Sequence, residues 1–415
     1  MSLNDTPSGE RLHISFFGCI NSGKSSLINA FTGQEVSIVD EKEGTTTDPV
    51  SKAMELLPLG PVVIADTPGI DDRGELGEKR IKRSLEILRR TDLAVLVIDS
   101  KRGIRQGDRE LIGLFSEKKI PCLLAYNKAD LLSIKEREEL LNREDELKEL
   151  KDIKKVAVSA LKGWDIDALK ESCITLAGSR EREKSIIGDL ISKNDRIVLV
   201  CPIDASAPKG RLILPQQQVI RDALDNGAIP LICREWELEK ALSSLKEPPA
   251  MVITDSQAFE MVASIVPKEV PLSSFSILMA RYKGNLKASL EGAEKLDEIK
   301  EGDTILISEG CSHHRQCGDI GSVKLPAMIE RYRGIKPKIE LSSGKDFPLD
   351  KKDYSLIIHC GACMLNEAEA RGRYREAREK NIPITNYGIA IAYMKGIFKR
   401  SVKLFPELYP ENQLK

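Results

Sequence analysis

Leu12-His13-Ile14-Ser15-Phe16-Phe17-Gly18-Cys19-Ile20-Asn21-Ser22-Gly23-Lys24-Ser25-Ser26-Leu27-Ile28-Asn29-Ala30-Phe31 is the stretch on which the reading of the whole chain turns. It opens as an apolar strand and closes as an apolar helical run. Gly18–Ser25 between them fits G-x-x-x-x-G-K-S/T in the setting where that pattern has meaning. Backbone N–H groups of such a loop, backed by a helix N-terminus, surround phosphates. Lys24 then reaches the outer phosphates and Ser25 holds magnesium, with Ser22, Gly23 and Ser26 beside them. A bare glycine-rich turn is the bland alternative, and the strand–loop–helix order argues against it.

Working outward, the strand Val62-Val63-Ile64-Ala65 ends in Asp66-Thr67-Pro68-Gly69. An aspartate at a strand's carboxyl end can hold a magnesium-bound water, and Gly69 lets backbone approach a terminal phosphate. Farther on, Pro121–Tyr126 leads into Asn127-Lys128-Ala129-Asp130. The Asp130 carboxylate can accept two hydrogen bonds from the N1–H and 2-amino edge of guanine, a pair adenine cannot supply. Ser159-Ala160-Leu161 resembles the accompanying base-contact loop. In register, these elements predict a domain that binds GTP and GDP with Mg2+.

Residues 11–177 resemble the translation-factor-related GTPases, especially the potassium-dependent MnmE group. Glu43-Gly44-Thr45-Thr46-Thr47-Asp48 looks like that group's switch I motif. The resemblance implies that Thr46 binds magnesium, whereas Thr47 stands where the group usually has arginine. Ile70 follows Asp66–Gly69 where Ras-like enzymes carry a water-orienting glutamine. The group instead uses a potassium ion, held partly by the loop asparagine, here Asn21. On this resemblance Lys24, Thr46 and Asn21 are the catalytic residues, turning over slowly as suits a switch.

The rest of the chain sets the architecture. With 415 residues it exceeds one compact core. Short apolar runs alternating with helical patterns predict α/β throughout: an N-terminal P-loop GTPase domain with a mixed, mostly parallel sheet, then two smaller α/β domains. The boundaries fall at 1–178, 179–268 and 269–415, with the charged run 179–185 read as a linker or a solvated helix end. No internal repeat stands out. The charges, 63 basic and 64 acidic, are interspersed, so no basic block advertises nucleic acid. No apolar stretch approaches the roughly 20 residues a membrane helix needs, and the expected location is the cytoplasm.

Nine cysteines and four histidines are spread unevenly. Cys19, Cys122, Cys173, Cys201 and Cys233 stand singly and read as reduced thiols. Cys311-Ser312-His313-His314 and His359-Cys360-Gly361-Ala362-Cys363 do not. Each follows a strand candidate, Thr304–Glu309 or Tyr354–Ile358, so both should emerge at the carboxyl edge of one sheet. Three thiolates plus imidazole suit zinc, and equally an iron–sulfur cluster with one loosely held iron. A nucleophilic Cys–His pair is the alternative. A single C-x-x-C, with glycines at 310, 318 and 361, tilts toward the bulkier cluster. Cys317 reads as a further ligand or as an inert loop thiol, and its spacing from Cys311 favours the latter.

Cys-x-His followed at a distance by His-Cys-x-x-Cys, behind a GTPase domain, resembles the HydF family of [FeFe]-hydrogenase maturation scaffolds along the whole chain. The resemblance implies a middle dimerisation domain and a homodimer. It implies a [4Fe-4S] cluster on Cys311, Cys360 and Cys363, with His313 or His359, an acidic group or water as fourth ligand. It further implies the radical-SAM maturases HydE and HydG as partners, and delivery of a transient di-iron precursor to apo-[FeFe]-hydrogenase. A GTPase acting on RNA or ribosomes with a structural zinc site is the competing reading, opposed by the balanced charge.

Overall fold

The computed structural model describes residues 11–33, 51–68, 84, 86–142, 153–181, 185–203, 212–310, 319–344, 346–350, 353–363 and 365–407. Thr46, Gly69, Ile70, Cys311, His313 and Cys317 lie outside them. The chain divides into two units, Met1–Glu183 with Asn366–Glu369, and Lys184–Leu365 with Ala370–Lys415.

In the first unit, β1 (Leu12–Phe17), β2 (Ser51–Leu56), β3 (Gly60–Asp66), β4 (Leu93–Asp99), β5 (Cys122–Asn127) and β6 (Lys154–Ala157) form one sheet in the order β2-β3-β1-β4-β5-β6. Only β2 runs antiparallel, to β3; the other pairs are parallel, as in a P-loop GTPase domain. Side chains alternate across a strand. Ile14, Phe16, Val95 and Val97 therefore enter one core with Leu27, Ile28 and Phe31 of α1 (Lys24–Thr32). Phe17, Ala94, Leu96 and Ile98 enter the other with Leu111, Ile112 and Phe115 of α2 (Gln106–Glu117). Buried on both faces, β4 reads as an uninterrupted apolar run, which is why its range was legible in sequence. The edge strand β2 was not: Ser51-Lys52-Ala53-Met54-Glu55-Leu56 is mostly exposed or half-buried and lacks that signal. Helices α3 (Ile134–Asn142) and α4 (Ile166–Glu181) complete the unit, α4 extending into the charged run that begins at 179.

The second unit holds two four-stranded parallel sheets. β7 (Arg196–Val200), β8 (Ile229–Cys233), β9 (Met251–Thr254) and β10 (Leu272–Ser274) lie in the order β10-β9-β7-β8. β11 (Thr304–Glu309), β12 (Lys338–Ser343), β13 (Leu356–His359) and β14 (Ile384–Asn386) lie in the order β12-β11-β13-β14. Numbered along the chain, both sheets have their second strand beside the first, then the third and fourth. The sheet built on β7 takes β10 from beyond residue 268.

This identity of topology exposes a duplication that the sequence reading missed. Pro271-Leu272-Ser273-Ser274-Phe275-Ser276-Ile277-Leu278-Met279-Ala280-Arg281-Tyr282-Lys283-Gly284 matches Pro383-Ile384-Thr385-Asn386-Tyr387-Gly388-Ile389-Ala390-Ile391-Ala392-Tyr393-Met394-Lys395-Gly396. Each is a last strand, a side-chain cap and a buried helix: Ser274 caps α8 (Phe275–Tyr282) by accepting from the Ile277 N–H, and Asn386 caps α12 (Tyr387–Met394) by accepting from that of Ile389. Both helices end at a left-handed glycine, Gly284 (φ +74°) and Gly396 (φ +71°). In the numbering used here, α5 is Leu214–Asp225, α6 Leu238–Ser243, α7 Phe259–Ile265, α9 Leu286–Glu294, α10 Leu325–Arg333, α11 Glu367–Glu379 and α13 Phe398–Val402.

The helix after each repeat packs on the other's last strand. Thr385 Oγ1 donates to Ser289 O of α9 (2.8 Å), and Ser273 Oγ to Ser401 O of α13 (3.2 Å). Phe398, Val402 and Phe405 accordingly lie in the core beneath β7 and β9. That exchange makes two sheets into one unit, and the long separation between the repeats hides it from local pattern.

Candidate nucleotide site and cysteine loop

The loop after β1 takes its shape from backbone that only certain residues tolerate. Gly23 has φ +86°, and a Cβ there would meet the Asn127 side-chain nitrogen at 2.4 Å. At Gly18 a Cβ would meet the Val97 carbonyl oxygen at 2.3 Å. Asn21 also lies in the left-handed region, which asparagine tolerates (φ 64°). Lys24 is buried, its Nζ donating to Gly18 O (2.9 Å) and Cys19 O (3.1 Å), which holds the ammonium over the loop.

Ser25 and Asp66, read from separate motifs, meet: Ser25 Oγ donates to Asp66 Oδ2 at 2.7 Å. Burial raises the Asp66 pKa, with Ser25 and Lys24 opposing it. Asp66 Oδ1 and Ser22 Oγ are buried without a hydrogen-bond partner. An orphaned carboxylate oxygen beside a serine hydroxyl, both hard oxygen donors, fits Mg2+.

Asn127 works as a brace. Its Nδ2 donates to Ser22 O (3.0 Å) and Gly23 O (3.3 Å), while its Oδ1 accepts from Ala160 N (3.1 Å). One side chain thus ties the phosphate loop to the loop after β6. Ser159 Oγ donates to Asp130 Oδ1 at 2.6 Å, orienting the half-buried carboxylate. Lys128 Nζ donates to Asn21 O and to Asp99 Oδ2, each at 2.7 Å. Asp99 was missed in sequence. Burial works to raise its pKa, but the contacts with Lys128 and the Lys101 N–H outweigh it and hold the carboxyl low. Its place as the last residue of β4 was the available signal. The described members of the nucleotide set therefore surround one loop, and Asn21 and Ser26 keep exposed side chains there.

In the second unit β11 and β13 are adjacent and parallel, with Ser308 opposite His359. Their carboxyl ends bring Gly310 and Cys360 together: Cys360 Sγ accepts from Gly310 N (3.1 Å) and Ala362 N (3.4 Å), and Cys360 N donates to Ser308 O (2.8 Å). A Cβ at Gly310 would meet the Leu365 side chain at 2.7 Å, so glycine permits this close approach. Burial raises the Cys360 thiol pKa, opposed by the two N–H groups. N–H groups aimed at sulfur suit a thiolate ligand. Cys363 is half-buried three positions on.

His359 is 1% exposed. Its Nδ1 lies 2.9 Å from Cys360 O and its Nε2 3.0 Å from Arg373 Nη1, so both ring nitrogens are engaged. Burial, then the Arg373 charge, push its pKa down to about 3 and keep the ring neutral. Nδ1 accordingly donates to the carbonyl and Nε2 accepts from the guanidinium. Arg373 and Lys283, both buried, were not singled out in the sequence; position beside the cysteine loop is a tertiary fact. Among the described residues no group of three or more His, Cys, Asp or Glu forms a metal set. The described cysteines are all free thiols.

A family model described as hydrogen maturase F dimerization domain matches residues 186–284, and one described as hydrogen maturase F tetramerization domain matches 287–404. A third, 50S ribosome-binding GTPase, matches 13–128. Among curated relatives, GTPase Der of Kosmotoga olearia is 33% identical over 174 residues, 40% of this chain and 39% of that protein. GTPase Era of a Thermoanaerobacter species is 31% identical, covering 46% of this chain and 62% of Era. The chain thus spans about two fifths of the Der proteins it matches. Among solved structures, Era in complex with MgGDPNP and a 16S ribosomal RNA segment is 27% identical over 40% of this chain and 56% of that one, with a TM-score of 0.33. No helix among the described residues is long and apolar enough to cross a membrane.

Proposed function

Because the chain belongs to the hydrogen maturase F family, carrying that family's two named domains behind a GTPase domain, we propose that it is a GTP-hydrolysing scaffold for [FeFe]-hydrogenase maturation. In this reading it holds a [4Fe-4S] cluster on Cys311, Cys360 and Cys363 and hands a di-iron precursor to apo-hydrogenase. One observation supports the cluster most directly: the Gly310 N–H on Cys360 Sγ, which brings the residue before Cys311 against the Cys360 loop. The fourth position is better given to His313, water or an acidic group than to His359, whose nitrogens are both engaged. A bound cluster supplies an iron with a replaceable ligand, and the chain's part is to hold three sulfurs and exclude solvent. HydE, HydG and apo-hydrogenase remain the proposed partners. The ribosomal alternative draws nothing from the two maturase-specific domains.

For the nucleotide, Ser25, Asp66 and Thr46 would hold Mg2+, which neutralises phosphate charge. Lys24 and the loop N–H groups bind the phosphates, and Asp130 reads guanine. Iron analysis and absorbance of anaerobically purified protein test the whole reading: absence of iron after reconstitution removes the cluster. Asp130→Asn is expected to weaken GTP binding by about 2 kcal/mol through a lost charge-assisted pair. Calorimetric titration with GTP and ATP checks this, and equal competition by ATP in the unaltered protein would overturn the assignment.

Asn21, at the exposed crest of the loop, is the proposed potassium ligand. GTP turnover should be faster in potassium than in sodium at matched ionic strength, and Asn21→Ala should erase the difference. Equal rates in the two salts leave Asn21 structural.

The family's domains support oligomerisation, and the edge strand β8 suits it. It exposes Ile229 and Ile232, with Trp236 following (54%, 45% and 56% exposed). An unpaired edge bearing apolar side chains is a surface that another strand covers. Three domains are proposed, as read from the sequence, with β10 assigned to the middle one because it pairs with β9.

A further inference from the structure

The duplication of the second unit supplies an internal comparison. Lys283 and Lys395 occupy the same place in the two repeats, each closing its buried helix before a left-handed glycine. Each crosses to the segment that follows the third strand of the other repeat. Lys395 Nζ reaches Glu260, which follows β9 at the spacing at which Leu365 follows β13. That contact is an ordinary surface ion pair, its carboxylate 71% exposed. Lys283 is different. It is 5% exposed, and its Nζ donates to the carbonyls of Ala362 and Leu365, the latter at 3.0 Å.

These carbonyls belong to the turn that carries Cys363, in which Ala362 sits at φ 54° and Leu365 N donates back to Ala362 O (3.1 Å). A second buried cation reaches the strand ends that lead into Cys360. Arg373, also 5% exposed, donates from Nη1 to His359 Nε2 (3.0 Å) and Ser308 Oγ (3.4 Å) and from Nη2 to Gly344 O, lying over the Phe347 ring at 5.2 Å. His359 is thereby a spacer carrying the guanidinium's hydrogen bond toward Cys360. Through these hydrogen bonds both cations are held against the backbone and side chains that flank Cys360. Charges in a low-dielectric interior act strongly on a neighbouring redox group.

We propose that Lys283 and Arg373 are positioning residues for the cluster loop, Lys283 holding the 362–365 turn and the two cations together stabilising the net negative charge of a reduced, thiolate-bound cluster. The inference rests on the cluster reading of Cys360 and Cys363. Each thiolate adds negative charge and reduction adds one more, so a nearby buried cation favours the reduced state. Neutralising either cation lowers the reduction potential. Lys395, paired on the surface with Glu260, has no such effect.

The test uses full-length protein, anaerobically reconstituted, with iron per chain and an EPR-monitored redox titration as readouts. Lys283→Met and Arg373→Gln should each cut the reduced-to-oxidised ratio at a fixed potential about tenfold, a downward shift of about 59 mV for one electron. Lys395→Met should leave iron content and potential unchanged. Should Lys283→Met fail to hold iron, Arg373→Gln, which leaves the 362 and 365 carbonyls with their lysine, decides. An unshifted potential in the iron-loaded variants, or an equal shift in Lys395→Met, overturns the proposal. Absence of iron from the unaltered protein overturns instead the cluster reading beneath it.

Discussion

Lys24→Ala is expected to lower GTP turnover by roughly 10³-fold, the scale on which losing one charge-stabilising donor acts in a preorganised site. The cost has two parts. The ammonium that would meet the outer phosphates is removed, and so are its hydrogen bonds to Gly18 O and Cys19 O. The second loss destabilises the loop by about 1 kcal/mol per bond, which a urea titration would register. Iron content should be untouched, because Lys24 belongs to the first unit and Cys360 and Cys363 to the second. If nucleotide switching and cluster binding serve one delivery cycle, hydrogenase activation should fail in this variant. Normal activation by Lys24→Ala would remove GTP hydrolysis from the cycle.

What could be read from sequence follows from how each feature is encoded. The phosphate loop is local: strand, glycines and lysine lie within one turn of chain, and Gly18 and Gly23 stand where a Cβ would collide. β4 and β9 announce themselves because burial on both faces demands unbroken apolar runs. β10 and β14, Leu272–Ser274 and Ile384–Asn386, were not distinguished because a three-residue strand has no period to detect. The repeat itself was missed for a related reason: its two copies keep the pattern of cap, apolar helix and lysine–glycine while changing most identities. At the sites, the motif residues Asp66, Asn127 and Asp130 were legible because chemistry restricts their type. Asp99, Lys283 and Arg373 were not, since a buried charge looks in sequence like any surface charge until its neighbours are known. The converse holds for His359. Adjacency to Cys360 made it a candidate ligand, while the fold gives its nitrogens to a carbonyl and a guanidinium.

Cys360→Ser should have the largest effect on the second site. The serine hydroxyl is a poor ligand for iron and remains protonated at neutral pH, and the substitution also removes the sulfur that accepts the Gly310 and Ala362 N–H groups. Iron per chain is expected to fall to background in Cys360→Ser and to fall or become labile in Cys363→Ser and Cys311→Ser, since three thiolates are the fewest the site can use. GTP turnover should continue in all three. Cys233→Ser is the matched control: Cys233 is half-buried in the same unit, and its thiol is pushed up to about 11 by burial. Cys233 ends β8 and lies outside the 360–363 loop, so this variant should keep its iron. The comparison separates coordination from damage to the fold, because a general loss of packing would strip Cys233→Ser as well. Full iron in all three site variants would remove the cluster assignment. Loss confined to those three, with GTPase rate retained and activation abolished, would place metal binding and nucleotide hydrolysis in separate units of one delivery cycle.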